Sequence, residues 1–374
     1  MSISYSAWPY RTTLGIQHGQ VYSSQTNYPL LLCSDNLPGY IFDRTSPYAC
    51  SSTGACLRFS SDAIGATQLA QEVVHFTGVA GGVGSGANAE IWINVPSLSS
   101  SSDTTVYMWH GNPDATALAN TDPYGRNAVW TPNADTSAVW HLDHTNFTNS
   151  VGISLWDGTN HLATDGTGSW TGSQSAKFDG TTTYINVNAL KVTPTISLSA
   201  IVQDQSSNQY GKIISKTWHS NATPYVEYGL IVDNSYPRKA RTEIDTTSVQ
   251  YTATGSAIAT PNSFTWQAMT YDRTTLRLYQ NGVLTASTAA GGGSGAIGAT
   301  TTVNTNIGRG SFDGTYVAQY FKGLIDEGRV YTSAKSIGWL ACDYSSQHSP
   351  SSFVKYVATP TYFRAADMFP GVPF

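Results

Sequence analysis

At 374 residues the chain is too long for one ordinary sandwich and long enough for two domains with filled cores. A net charge of −5 with no cluster of Lys or Arg excludes the phosphate-neutralising surface of a nucleic-acid binder. Only 11% of residues are charged, against roughly 25% in typical soluble domains, and Ser, Thr, Asn, Gln, Gly and Tyr take their place, as suits an extracellular or virion surface.

The opening MSISYSAWPYRTTL has neither the basic start nor the apolar stretch of a secretory signal, and no run reaches the length of a membrane span. A phage structural protein, made in the cytoplasm and released by lysis, fits that pattern; the alternative is a leader already removed. Residues 8–16 (WPYRTTLGI), 27–33 (NYPLLLC), 57–61 (LRFSS) and 71–76 (QEVVHF) read as strands. Residues 89–98 alternate, with Ile91, Ile93 and Val95 on one side and Glu90, Trp92 and Asn94 on the other, and 104–112 follow after a Ser-rich turn. The glycine-rich stretch 80–88 lacks the Lys-Ser/Thr and the following helix of a phosphate loop, and reads as a pliable hairpin connection. Cys50 and Cys56 are close enough for a small disulfide loop, without the sequence deciding it. Cys33 and Cys342 read as buried thiols, and no Cys/His array has zinc spacing. Residues 116–137, with two X-Pro steps, read as a connector.

Two apolar strands carrying acids, 138–143 (AVWHLD) and 322–331 (KGLIDEGRVY), bracket about ten short strand-like runs with no convincing helix between. That is the pattern of a β-sandwich whose first and last strands pair. Regular alternation puts Leu324, Asp326, Gly328 and Val330 on one face of the second strand, and Gly323, Ile325, Glu327, Arg329 and Tyr331 on the other. Asn281-Gly282 predicts a type I′ hairpin turn. Ser333 is placed to cap a short helix over 334–342 that turns Ile337, Leu340 and Ala341 inward. Residues 346–374 are rich in Phe, Tyr and Pro and too short to fold alone; their apolar content argues for docking on a neighbouring domain, protomer or shell.

WHLD, then QSAKFDGTTTYI (174–185), YDRTTLRLYQNGVLTAS (271–287), NIGRG (306–310) and KGLIDEGRVYTSAKSIGWL resemble, in order and spacing, a laminin-G-like domain of the concanavalin A-type lectin/glucanase fold. WPYR, LRFSSDAIGATQLAQEV and IWINVPSLSSSSDTTVYMWHGNP resemble an uncharacterised β-sandwich domain found before such domains in bacterial and phage surface proteins. Together they imply an all-β chain of two tandem antiparallel β-sandwiches, the second a concanavalin A-like jelly roll, plus an extended tail. The expected divisions are 1–128, 129–345 and 346–374. The resemblance also implies one Ca²⁺, with Asp143, Asp179 and Asp326 at the family's recurrent acidic positions. The competing reading makes Asp179-Gly180 a plain turn and has Asp326 cap, or pair with an Arg such as Arg329.

The enzymatic branch of this fold carries Glu, then Asp two residues on, then a second Glu. In TEIDTTSV (242–249) Glu243 and Asp245 share a strand face roughly 7 Å apart, but Thr247 and Ser248 stand where the second Glu belongs. Retaining hydrolysis needs two carboxyl groups about 5–5.5 Å apart, so no catalytic residue is assigned and the chain is read as not an enzyme. His141 and His144 have no third ligand in view, and Gly-Gly-Gly-Ser-Gly at 291–295 has no strand–helix setting for a nucleophile elbow. The sequons at Asn146 and Asn221 bear only on a eukaryotic secretory setting.

The function expected from all this is surface attachment or decoration without catalysis. The expected setting is a phage virion component (tail fibre, receptor-binding or capsid-decorating) with glycan-binding potential. It would act as a homo-oligomer or in many copies, with a cell-surface glycan or other virion proteins as partners and no nucleic acid or membrane. Trp218, His219 and Tyr236, in long polar loops, are the expected ligand contacts. The alternatives are a secreted or cell-surface bacterial adhesin or carbohydrate-binding module, and a polysaccharide hydrolase, which a second carboxylate near Glu243 would distinguish.

Overall fold

The computed structural model describes residues 3, 7–143, 147–192, 194–206, 210–217, 226–235, 237–246, 249–258, 262–290, 295–297, 303–310, 319–357 and 359–362. The chain divides into two compact units. One comprises Met1–Asn133, Trp170–Ser173 and Ser345–Phe374, the other Ala134–Ser169 and Gln174–Tyr344. Among the described residues no helix is long and apolar enough to cross a membrane.

The first unit opens with β1 (Tyr10–Ile16), β2 (Gln25–Cys33), β3 (Arg58–Ser60), β4 (Gln71–Thr77), β5 (Asn88–Leu98) and β6 (Thr104–His110). β6 lies antiparallel between β1 and β3, and β5 lies between β2 and β4. The alternation read in 89–95 does not sort core from solvent, because both faces of β5 are buried there. Trp92 and Glu90 are fully buried beside Ile91 and Ile93. The Trp92 indole donates to Glu90 Oε1 at 2.7 Å, so this polar pair can leave water together. Part of the stretch read as a connector is likewise packed. It forms α1 (Arg126–Trp130), whose Trp130 indole donates to Glu72 at 2.7 Å, while Asn94 donates to the Val129 carbonyl at 3.0 Å. Cys50 and Cys56 are disulfide-bonded; Cys33 and Cys342 are buried thiols, and burial pushes the Cys33 thiol up to about 12.

The second unit contains β7 (Thr136–Trp140), β8 (Thr159–His161), β9 (Thr164–Asp165), β10 (Ala176–Asp179), β11 (Tyr184–Val187), β12 (Ile196–Asp204), β13 (Gly211–Thr217) and β14 (Val226–Val232). It continues with β15 (Lys239–Asp245), β16 (Gln250–Ala257), β17 (Phe264–Tyr271), β18 (Thr275–Gln280), β19 (Val283–Ala289), β20 (Thr305–Ile307) and β21 (Lys322–Tyr331). One sheet runs β16-β15-β14-β13-β20-β11-β8; the other runs β19-β18-β17-β12-β21-β10-β9, with β7 also on β21. Ile185, Leu230, Ile244 and Ile307 from the first meet Leu198, Met269, Leu278 and Ile325 from the second in one apolar core. The first and last strands close the sandwich as expected, pairing Ala138 with Val330 and Trp140 with Gly328. Asn281 and Gly282 both have positive φ (49° and 75°), as a type I′ turn requires.

Two expectations for 322–342 need correcting. β21 does not alternate regularly, since Ile325 and Val330 both enter the core. Against β12 the register passes from Ser199↔Arg329 to Ile201↔Asp326, and Glu327 sits at φ 52°, so a β-bulge adds a residue and flips the faces beyond it. The helix runs further than read, as α2 (Ile337–His348). Leu340 is buried but Ile337 is 43% exposed, and the Ser333 hydroxyl bonds Asp135.

After α3 (Pro350–Phe353) the chain becomes β22 (Val354–Tyr356) and β23 (Thr361–Tyr362), both antiparallel to β1. Val357 donates to the Thr13 carbonyl between them. Phe353 is fully buried, stacked on Tyr28 with centroids 6.5 Å apart, and the Tyr28 hydroxyl meets Ser346 Oγ at 2.9 Å. Through residue 362 the C-terminal segment is therefore the edge of the first unit's own sheet, supplying the hydrogen bonds that an open β1 would lack.

Candidate functional site

The seven-stranded sheet of the second unit turns Ile185, Val187, Leu230 and Ile244 into the core, so by period-2 alternation its other face is made of their neighbours. The register defines one continuous row on that face: Thr159, Asn186, Asn306, Ser215, Gly229, Glu243 and Thr252, each opposite the next. An inward row of Ile and Leu is thus backed by an outward row of amides, hydroxyls and a carboxylate.

One half of this face is closed by charge pairing. Glu243 on β15 takes Lys212 Nζ at 2.9 Å and Arg241 Nη2 at 2.6 Å, with its own side chain 8% exposed. Burial alone would raise its pKa; Lys212 and Arg241 overcome that and hold the carboxyl below its ordinary range. Asp245 accepts the Val226 N–H at 2.9 Å. Lys216 and Glu227 form a further ion pair at 3.0 Å with both side chains essentially fully buried. A glycosidase acid must keep its proton near neutral pH, and Glu243 is set up to lose it. Thr247 and Ser248 lie outside the described residues.

The other half is open. Tyr184 and Asn186 on β11, His161 on β8, Asn304, Arg309 and Tyr320 are all half-buried. The His161 ring stacks on Tyr184, centroids 4.2 Å apart and planes 7° apart, and the Arg309 guanidinium lies 3.3 Å from the same ring's centroid. Asn304 donates to Asn186 Oδ1 at 2.8 Å, and Arg309 Nε reaches Asn306 Oδ1 at 3.4 Å. With a ring and a guanidinium packed on it, Tyr184 is a scaffold that fixes its neighbours. In sequence, TTTYI and NIGRG read only as fold signatures. The polar positions alternating with Ile185, Val187 and Ile307 were the signal that could have marked these residues.

The residues singled out for metal do not converge. Asp179 Oδ1 accepts the N–H groups of Thr181, Thr182 and Thr183 at 2.8, 2.8 and 3.0 Å, and its other oxygen accepts the Thr181 and Thr182 hydroxyls. Desolvation, which would raise its pKa, is outweighed by those bonds, and the carboxyl lies far below its usual value. Asp143 Oδ1 accepts the Gln174 N–H at 3.0 Å; Asp326 accepts its neighbour Glu327 N–H at 3.0 Å and the Ser169 hydroxyl. Among the described residues the oxygens of Asp143, Asp179 and Asp326 do not lie within 4.8 Å of one another. Ca²⁺ takes six to eight oxygens, and this donor set does not fit a shared ion. Arg329 pairs with Glu327 at 2.5 Å and Asp343 at 2.6 Å. His141 meets Glu327 through Nδ1 at 2.5 Å, while His144 lies outside the described residues. Trp218, His219 and Tyr236 also lie outside them, as do Asn146, Asn221 and 291–294.

No curated protein matches the chain. Among solved structures it is similar to domain 4 of AbnA, a GH43 extracellular arabinanase from Geobacillus stearothermophilus, in complex with arabinotriose (18% identity, 56% of this chain and 98% of that one, TM-score 0.39). It is also similar to the botulinum neurotoxin serotype D binding domain (12%, 57% and 52%, TM-score 0.44). A third likeness is to the Ruminococcus gnavus IT-sialidase CBM40 bound to α2,3-sialyllactose (21%, 41% and 83%, TM-score 0.36). The family model described as the concanavalin A-like lectin/glucanases superfamily, Laminin_G_3, matches residues 179–339, within the second unit.

Proposed function

We propose that the protein is a non-catalytic glycan-binding attachment protein whose second unit takes sugar on the open half of the seven-stranded sheet. The observation that carries this reading is the half-buried group of Tyr184, His161, Asn186, Asn304 and Arg309. Amide and guanidinium donors held still by an aromatic ring match the hydroxyl pattern of a sugar at small entropic cost. The absence of catalysis is argued from Glu243, whose two cationic partners deny it the role of acid.

The setting we propose is a particle or cell surface bearing many copies, with a virion component as the first reading and a bacterial surface adhesin as the second. The charge-poor composition supports either. Single sites of this kind are weak, and multivalency raises avidity by about 10²–10⁴ without new contacts. The test is a glycan array probed with the wild-type chain and with His161→Ala/Asn186→Ala, whose fold is checked by its melting curve. Capture of a glycan by the wild type and its loss in the variant support the site. Capture unchanged in the variant, or shortening of a polysaccharide by purified protein, overturns it.

A further inference from the structure

Arg309 is the feature of the open half that binding of a neutral sugar does not account for. Two cations of this face, Lys212 and Arg241, share a carboxylate, Glu243. Arg309 has none among the described residues. Its guanidinium lies over the Tyr184 ring, 3.3 Å from the centroid, and its one polar contact is Nε toward Asn306 Oδ1 at 3.4 Å. The two terminal nitrogens, the fork that grips an oxyanion through parallel hydrogen bonds, make no hydrogen bond within the described structure. A half-buried guanidinium is partly desolvated, and packing against the ring has already fixed its plane. Asn304 and Asn186, joined at 2.8 Å, stand beside Asn306 across the strand pair. They supply neutral donors and acceptors for the hydroxyls of the same ligand.

We infer that this site selects acidic glycans, with the Arg309 fork holding a sugar oxyanion, a carboxylate or a sulfate ester, while the asparagines hold neighbouring hydroxyls. The inference rests on the proposed sugar site and adds its ligand class. Selectivity follows from the pairing just described. A guanidinium that pairs with no carboxylate among the described residues favours an anionic ligand, and Glu243, already neutralised by two cations, does not oppose one.

The experiment compares three probes by isothermal titration at low and moderate salt: an oligogalacturonate, its methyl-esterified neutral counterpart, and a galactose oligosaccharide bearing sulfate esters. The wild-type chain is expected to prefer an acidic probe over the neutral one by about 10- to 100-fold, with the preference shrinking as salt rises. Arg309→Ala should remove the preference, and Arg309→Lys should keep only part of it, because a point charge lacks the planar fork. Whichever acidic probe binds tighter identifies the oxyanion. Equal binding of acidic and neutral probes, or an Arg309→Ala variant that keeps the preference, overturns the inference and leaves the sugar site standing. Capture of only a neutral glycan through His161 and Asn186 does the same. A wild-type chain that captures no glycan on an array overturns both.

Discussion

Arg329 and Asp343 form an ion pair with no solvent exposure on either side chain, Nη1 to Oδ1 at 2.6 Å, tying β21 to α2. The other guanidinium nitrogen meets Glu327 at 2.5 Å, and Glu327 in turn meets His141. Burial works against the Arg329 charge, but Asp343 and Glu327 more than offset it and hold its pKa well above the ordinary value. The bulge makes this possible, because the positive φ at Glu327 sends Arg329 to the helix side while Val330 still reaches the core.

Breaking that pair should be costly. Asp343→Ala leaves the buried Arg329 with one of its two carboxylates, and a loss of about 3 kcal/mol is expected by denaturant unfolding. The triple variant Glu327→Gln/Arg329→Met/Asp343→Leu, which removes every charge of the cluster around Arg329, should recover much of it. Equal loss in the two variants would show that packing, and not the charge, sets the cost.

The Glu243 cluster gives a pH signature. Its folded pKa is lowered, so its contribution is fully present above the unfolded value of about 4.3 and is lost as pH falls through the folded value. Glu243→Gln is expected to cost about 2 kcal/mol at neutral pH and to flatten the acid limb of the stability curve. A variant as acid-sensitive as the wild type would assign that limb to other carboxylates.

Asp179 stitches the turn at 179–183 with both oxygens, a role that needs no ion. Asp179→Ala should therefore lower the melting temperature equally with and without chelator. A chelator effect on the wild type that vanishes in this variant would restore Asp179 as a Ca²⁺ ligand.

Deleting residues 354–374 strips β22 and β23 from β1 and removes Val354 from the first unit. The first unit should melt several degrees lower while the second, which contains none of these residues, is unchanged. A single unshifted transition would mean that the edge strand contributes little.

Closure of the second sandwich, its hairpin at Asn281-Gly282 and its acid-bearing end strands were legible because alternation and turn chemistry are local. The flip at Glu327 was not, since a bulge is fixed by the partner strand and nothing in DEG marks it. The fate of the aromatic tail was hidden for the same reason, as its partner β1 lies more than 300 residues earlier. In sequence, the Glu243 region reads as lacking the second Glu. What the sequence concealed was that Lys212, from another strand, takes the carboxylate it does have. The open half went unrecognised because Tyr184, His161 and Arg309 come from separate segments, and only the sheet register brings them together.

The most direct test of the whole account is glycan capture by the wild-type chain against the His161→Ala/Asn186→Ala variant, at matched folding and copy number. The account predicts a glycan signal on the wild type that falls to background on the variant. Equal signals, or none on the wild type, would contradict it.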